Sequence, residues 1–170
     1  SILDIPVLMI TVPQYFVFFA KKELLKIPML GWNLKEQGHF MVTRDNPRQA
    51  RKEMAGVEAE IEREKRNLLI FPEGTRSITG ELGRFKRGAF MAAVRTGTPM
   101  IPVYIDGTGY IINKKRFLMQ PGKINIAFGE PVPVEKATPE TERAAALTLM
   151  SIVEERINAL KKRYQIYDVL

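Results

Sequence analysis

The chain has 170 residues, which suits one domain with a sizeable core, and it has no cysteine, which excludes disulfides and thiol catalysis. Its only histidine is His39, so we expect no metal site. Lysine and arginine number 26 against 19 aspartates and glutamates, a net charge of +7 that suits phosphates, an acidic carrier protein or an anionic membrane. Aromatic residues make up 9% of the chain and no nucleic-acid recognition motif is present, so we expect no nucleic-acid partner.

The first part of the chain contains an uncharged apolar run over residues 5–20, interrupted by Pro6 and Pro13. A membrane-spanning helix needs about 20 apolar residues, so no span is predicted there. The run predicts a buried first helix and then a core strand from Tyr15 to Ala20, with an interfacial segment that dips into lipid as the alternative. Farther on, Asn46-Pro47 predicts the start of a helix, because asparagine caps helices and proline fits the first turn.

The second part of the chain continues the alternation of strands and helices. Strands are predicted over Asn67–Phe71, Met100–Ile105 and Lys123–Phe128. Helices are predicted over Arg87–Thr96, with Gly97 as its stop, and from Thr138-Pro139 onward. The last helix has an apolar stripe that we expect to pack in the core, made of Leu147, Met150, Val153, Ile157 and Leu160. The pattern predicts an α/β fold: a single domain over residues 1–170 with a central mixed β-sheet flanked by helices.

The most informative motif is Phe71–Ser77, which follows the strand at Asn67 and places proline, glutamate, glycine and arginine in one loop. Glycine lets a backbone approach a ligand closely, and arginine offers a planar fork of donors for phosphate. Further blocks follow the same order as in a known family: Ser1–Val7, Ala20–Leu24, Gly38–Arg44, Phe85–Ala89 and Met100–Ile105. As a set they resemble the glycerolipid acyltransferases, specifically the 1-acyl-sn-glycerol-3-phosphate (lysophosphatidic acid) acyltransferase family, from Ser1 to about Val134.

This resemblance implies the glycerolipid acyltransferase fold and an O-acyltransferase activity. The expected reaction moves a fatty acyl group from acyl-CoA or acyl-carrier protein to the free hydroxyl of lysophosphatidic acid, which gives phosphatidic acid for phospholipid biosynthesis. No further cofactor is implied. Glycerol-3-phosphate or another lysolipid is an alternative acceptor, and a catalytically silent lipid- or phosphate-binding module is an alternative function. The expected location is the cytoplasmic face of a membrane, against its anionic surface, with peripheral attachment or an anchor upstream of Ser1.

The resemblance also assigns the catalytic residues. The histidine of the family's HxxxxD motif would stand two residues before Ser1, so the chain is expected to be truncated within the motif and inactive by itself. Asp4 matches the motif's aspartate and would orient the imidazole and stabilise its charged form. His39 stands at a variable position of the family pattern. We interpret it as a surface or strand-edge residue rather than as the base.

Basic residues of the motifs are the candidates for binding the acceptor's phosphate. Arg76 is the first choice and Arg44 the second, because bidentate arginine–phosphate contacts are charge-assisted. Lys22 and Lys86 are weaker candidates.

The loop around Arg76 supplies the remaining candidates. Glu73 either accepts a hydrogen bond from a substrate hydroxyl or serves as an internal partner that orients Arg76. Gly74 is expected to serve loop geometry, and Thr75 belongs to the same substrate-binding loop. Pro102 is expected to end strand pairing and to shape the wall of the acyl pocket.

Overall fold

The computed structural model describes residues 3–21, 25–26, 28, 30–42, 47–64, 66–75, 77, 81–112 and 120–166. Its helices are α1 (Asp4–Thr11), α2 (Leu30–Glu36), α3 (Pro47–Glu64), α4 (Gly88–Thr96), α5 (Thr108–Ile111) and α6 (Glu142–Tyr164). Its strands are β1 (Phe16–Lys21), β2 (Phe40–Val42), β3 (Asn67–Leu69), β4 (Val103–Asp106) and β5 (Asn125–Phe128). Helices and strands alternate along the chain, which confirms the predicted α/β class.

The chain divides into two compact units, one formed by Gln14–Phe71 and the other by Ser1–Pro13 together with Pro72–Leu170. The assignment of all 170 residues to a single domain stays a prediction. Strands of both orientations are present, as a mixed sheet requires, but the described strands form two sheets. One is parallel, in the order β2-β1-β3, and the other is the antiparallel pair β4-β5.

The unit Gln14–Phe71 is built around the parallel sheet. Val17 of β1 pairs with Leu68 of β3, and Phe19 of β1 pairs with Phe40 of β2. Three successive residues of β1, beginning at Phe16, are buried, as expected for the central strand of a parallel sheet that is covered on both faces. Helix α3 packs against β2 and buries Val57.

The other unit is built on the packing of α4 against α6 and on the β4-β5 pair. Gly97 ends α4 in the left-handed conformation, as predicted. The residues of α6 that are buried are Ala146, Leu149, Val153 and Ile157. The predicted stripe is therefore wrong at Leu147, which is 41% exposed. Val153 and Ile157 are buried as predicted, but in the first half of the helix Ala146 and Leu149 are buried in place of Leu147 and Met150. The small side chain of Ala146 lets α6 approach its neighbours closely there.

Several predicted boundaries shift by a few residues, each for a local reason. Strand β4 begins at Val103 instead of Met100, because the intervening Pro102 has no backbone N–H to donate to the ladder. Met100 pairs with Val132 in an isolated bridge instead. Helix α6 begins at Glu142, after a turn in which the Thr141 hydroxyl accepts a hydrogen bond from the Thr138 amide at 3.1 Å.

Helix α1 differs from its prediction in burial. Leu8 is 1% exposed, but Ile10 is 85% exposed and Met9 is exposed as well. The prediction of a buried first helix is therefore wrong for Met9 and Ile10, because a short helix that packs on one side leaves its other side exposed. In the part of the chain that the structure describes, no helix is both long enough and apolar enough to cross a bilayer.

Candidate active site

Asp4 is the first residue of α1 and is half-buried. Its Oδ1 accepts a hydrogen bond from the hydroxyl of Thr108 at 2.6 Å, across 104 residues of sequence. Thr108 is 5% exposed, so its hydroxyl donates from a site with little access to water. Such a charge-assisted bond is short and directional, and it fixes the orientation of the carboxylate. The carboxylate is also favoured at the positive end of the helix.

The turn after β4 places the hydroxyl of Thr108 next to the carboxylate of Asp4. Asp106 ends the strand, and its Oδ1 accepts a hydrogen bond from the amide of Gly107 at 2.8 Å. Gly107 has a φ of +87°, which a residue with a side chain rarely adopts, and Thr108 then opens α5.

Burial, followed by the charges of Asp106 and Glu81, raises the pKa of Tyr104 to about 12, so its phenol stays protonated at neutral pH.

Thr108 is the functional candidate that the sequence analysis missed. The sequence Asp106-Gly107-Thr108 directly after an apolar strand is a turn signal, because aspartate bonds to the following backbone and glycine accepts a positive φ. That signal predicts a turn followed by a hydroxyl. It does not reveal that Asp4 is the partner of this hydroxyl.

The motif loop is closed at its base by two hydrogen bonds. The carbonyl of Pro72 accepts from the amide of Lys86 at 2.7 Å, and Glu73 Oε2 accepts from the amide of Gly83 at 2.6 Å. Glu73 is thus an internal partner of the loop's own backbone. Its proposed contact with Arg76 stays a prediction, because Arg76 lies outside the described residues.

Gly74 and Lys86 lie against one another inside this closed loop. Gly74 has a φ of +68°, and a Cβ built on it would lie 2.6 Å from Lys86 Nζ. A side chain at position 74 would be strained by this positive φ and would also displace the end of the lysine side chain. Thr75 follows and is exposed. The structure brings Glu73, Gly74 and Lys86 together, as the loop-geometry prediction for Gly74 requires.

Other predicted site residues lie outside the description. Lys22, Arg44 and Arg76 are not among the described residues. Their phosphate contacts stay predictions. Across the described ranges, no group of three or more histidine, aspartate or glutamate side chains is placed to hold a metal ion.

His39 fits one of the two positions predicted for it, the strand edge, and not the other, the surface. It directly precedes the edge strand β2, but it is 7% exposed, so the predicted surface position is wrong. Its ring packs on Phe18 of β1 with centroids 4.0 Å apart, and Nε2 lies 3.0 Å from the side-chain oxygen of Gln37. No described group hydrogen-bonds to Nδ1. Burial lowers the pKa of His39, which keeps the imidazole neutral.

Comparison with known proteins extends these observations. A family model described as Acyltransferase matches residues 1–106. The chain is 34% identical over 146 residues to the 1-acyl-sn-glycerol-3-phosphate acyltransferase of Escherichia coli, covering 86% of this chain and 59% of that protein. It is 33% identical over 138 residues to human 1-acyl-sn-glycerol-3-phosphate acyltransferase beta (81% and 50%). It is 32% identical over 135 residues to the coconut 1-acyl-sn-glycerol-3-phosphate acyltransferase (79% and 44%). The chain thus spans about half the length of these relatives.

A solved structure shows the same fold. The 1-acyl-sn-glycerophosphate (LPA) acyltransferase PlsC from Thermotoga maritima superposes with a TM-score of 0.64 at 31% sequence identity. The superposition covers 91% of this chain and 62% of that chain. It confirms the predicted glycerolipid acyltransferase fold. Together with the match of the family model to residues 1–106, it shows that this chain belongs to the acyltransferase family.

Proposed function

We propose that the protein transfers a fatty acyl group from a thioester to the free hydroxyl of lysophosphatidic acid and so forms phosphatidic acid. The observation that carries this proposal is the carboxylate of Asp4, held by Thr108 at the position where the family's motif places its aspartate. The three relatives described above are all named for this acceptor, 1-acyl-sn-glycerol-3-phosphate.

The proposed chemistry needs a base, because an alcohol is a weak nucleophile at neutral pH. The histidine proposed upstream of Ser1 would take the hydroxyl proton while the alcohol oxygen attacks the thioester carbonyl. The carbon–sulfur bond then breaks, and the imidazolium returns the proton to the departing thiolate. Asp4 would accept a hydrogen bond from the imidazole and stabilise its charged form, as in other carboxylate–histidine pairs. Thr108 would act as a positioning residue that holds Asp4.

The acceptor's phosphate is proposed to bind at the motif loop. Arg76 would supply the bidentate contact, with Lys86 of the same unit as a further cation. The phosphate contacts of Arg44 and Lys22 stay predictions from the sequence. Support comes from the closed base of the loop, which fixes the backbone on both sides of Arg76. Lys86 Nζ already lies beside the backbone of Gly74, two residues before Arg76.

The remaining components of the reaction follow from the same proposal. The acyl donor would be acyl-CoA or acyl-carrier protein, with no other cofactor. The protein would work at the cytoplasmic face of a membrane. A net charge of +7 and the exposed apolar side chains of Met9 and Ile10 support contact with an anionic, lipid-rich surface. Binding to anionic vesicles should then weaken as salt concentration rises.

The test of this function uses the full-length protein and the variant Arg76→Ala. We expect acylation of lysophosphatidic acid by the unmodified protein, and a strong increase in the acceptor's KM or loss of turnover in the variant. Truncating a desolvated, charge-paired side chain costs about 2–5 kcal/mol. Arg76→Lys should rescue poorly, because lysine lacks the planar fork.

The control is Arg63→Ala, which removes an exposed arginine of α3 with the same change of charge. Its acceptor kinetics should match those of the unmodified protein. Normal acceptor kinetics in Arg76→Ala would contradict the phosphate assignment. Acylation of glycerol-3-phosphate in preference to lysophosphatidic acid would replace the proposed acceptor.

A further inference from the structure

An open groove lies next to the motif loop, entirely within the unit of Ser1–Pro13 and Pro72–Leu170. It encloses about 610 Å³ between the turn that precedes α4 and the first half of α6. This volume falls in the range of about 300–1,000 Å³ that small-molecule sites occupy. The residues that line the groove are Arg84, Phe85, Lys86, Arg87, Leu147 and Met150.

One wall of the groove is a turn with a fixed backbone. Phe85 is buried and stacks on Phe90 of α4, with ring centroids 6.1 Å apart and an interplanar angle of 13°. The amide of Lys86 is tied to the carbonyl of Pro72 at 2.7 Å. These two anchors leave the basic side chains on either side of Phe85 exposed to solvent. Their charges are thus presented from a rigid base, at little cost in backbone entropy when a ligand binds.

The charge on this wall is unbalanced. Arg84, Lys86 and Arg87 lie within four residues, and none of them forms a salt bridge with another residue that the structure describes. Farther along the same unit, Arg95 does pair with Glu142, at 2.7 Å. Three neighbouring cations repel one another, and a ligand with more than one negative charge would relieve that repulsion.

The opposite wall is apolar and is not needed for the core. Leu147 is 41% exposed, and Met150 lies one turn farther along α6 and is half-buried. Neither belongs to the buried stripe of that helix. The groove therefore combines several fixed positive charges on one side with an apolar surface on the other. A ligand that matches it carries several phosphates attached to a group whose face can pack on apolar side chains, such as a heteroaromatic ring.

We propose that the groove binds the nucleotide of acyl-CoA. The 3′-phosphate and the 5′-diphosphate would lie on Arg84 and Arg87, and the adenine would lie against Leu147 and Met150. This inference rests on the proposed acyl transfer and assigns its donor. A carrier protein would present acidic side chains over a broad surface and would not need a concave groove of this size. Lysophosphatidic acid has a single phosphate, for which Arg76 and Lys86 are proposed, and this leaves Arg84 and Arg87 for a second anionic ligand.

The kinetic test compares two donors in the full-length protein. One is acyl-CoA, and the other is the same acyl group on N-acetylcysteamine, a thioester without a nucleotide. We expect Arg84→Ala and Arg87→Ala each to raise the KM for acyl-CoA about five- to tenfold, as for the loss of a partly solvated charged contact. The KM values for the nucleotide-free donor and for lysophosphatidic acid should not change. The control is Lys162→Ala, an exposed cation of α6 about 22 Å beyond Leu147 along the helix axis.

Three kinetic outcomes would overturn the proposal. The first is an equal increase in KM for both donors, which would assign the groove to the acyl chain or to folding. The second is an increase confined to lysophosphatidic acid, which would assign it to the acceptor. The third is an increase confined to acyl-carrier protein as donor, which would assign it to that protein.

A binding measurement separates this inference from the proposed function. Calorimetric titration with adenosine 3′,5′-bisphosphate should show saturable binding to the unmodified protein that weakens as salt rises. Binding should be about tenfold weaker in the double variant of Arg84→Ala and Arg87→Ala, whose melting temperature is measured alongside. Binding without any acyl transfer would refute the function and keep the site. No binding to the unmodified protein would refute the site.

Discussion

Asp4 and His39 are titratable side chains of different units, and their surroundings contrast. Asp4 is half-buried at the start of α1, and its carboxylate accepts a 2.6 Å hydrogen bond from a threonine 104 residues away. His39 is 7% exposed and packs on Phe18, and the one described hydrogen bond of its ring joins it to the nearby Gln37. Asp4 is thus oriented by a residue that is distant in sequence, whereas His39 contributes to packing within its own unit.

The contrast shows which property marks a side chain for proton chemistry. A pKa near neutrality makes a histidine a candidate general base from the sequence, but a general base must also reach its substrate. Burial removes that access from His39, and it also lowers the pKa of the imidazole. A fixed hydrogen bond to a half-buried carboxylate is the stronger structural indication. The following experiments examine this difference, beginning with the largest expected effect.

Replacing Asp4 with asparagine should have the largest effect. The variant Asp4→Asn would keep the shape of the side chain and remove the charge that is proposed to stabilise the imidazolium, so kcat should fall by about 10²–10⁴-fold. The measurement is steady-state acyl transfer by the full-length protein, with KM for both substrates determined. The matched control is His39→Ala, which should retain nearly all activity. Loss of activity in His39→Ala with normal kinetics in Asp4→Asn would reverse the comparison.

Replacing Thr108 with valine should have an intermediate effect. Valine has nearly the same shape but cannot donate, and a hydrogen bond to a charged group contributes about 1.5–3 kcal/mol. If part of that energy orients Asp4 in the transition state, kcat should fall about tenfold, with little change in either KM.

Thr108→Ser provides the matched control, because it keeps the hydroxyl and should restore most of kcat. A purely structural role would lower the melting temperature in both variants and leave kcat of the folded protein unchanged. That result would remove Thr108 from the site.

Titration of His39 should have the smallest effect, on stability alone. Its pKa in the folded chain is lowered by burial from the ordinary value of 6.5. Below pH 6.5 the unfolded chain binds a proton that the folded chain does not, so stability falls as pH drops. The loss should begin near pH 6.5 and be complete below the lowered pKa of the folded state.

The measurement is the urea midpoint between about pH 5 and pH 8, compared with His39→Phe, which fills the same space without titrating. The variant should lack this part of the pH dependence and keep its activity at neutral pH. An identical pH dependence of the two midpoints would mean that His39 is not held neutral by burial.

Local patterns in the sequence predicted most of the elements and the family, because capping residues, apolar runs and motif order are local. Proline at Pro47 and glycine at Gly97 indicate a helix start and a helix end within a few residues. Contacts between distant segments were not predictable in this way. Nothing near Thr108 indicates Asp4, and nothing near His39 indicates that Phe18 covers its ring.

The prediction of the buried face of α6 is wrong at Leu147 for a related reason. Leu147 is more hydrophobic than Ala146, so an apolar pattern selects the leucine. The fold buries the alanine instead, because helix packing rewards close approach as well as hydrophobicity. The displaced Leu147 then becomes available to the groove. Here the failure of the pattern coincides with a candidate binding surface.

The paired closures at the base of the Pro72–Lys86 loop have an evolutionary consequence. The two ends of the segment are joined by the hydrogen bond from the Lys86 amide to the Pro72 carbonyl. A second hydrogen bond, from the Gly83 amide to Glu73, joins them again farther into the segment. Closing a loop costs only about 0.6 kcal/mol more for each doubling of its length. Homologous segments of different length could therefore be exchanged as a cassette between members of the family, while the surrounding scaffold keeps its framework. If the loop binds the acceptor as proposed, chimeras joined at Pro72 and Lys86 should carry the acceptor preference of the donor protein.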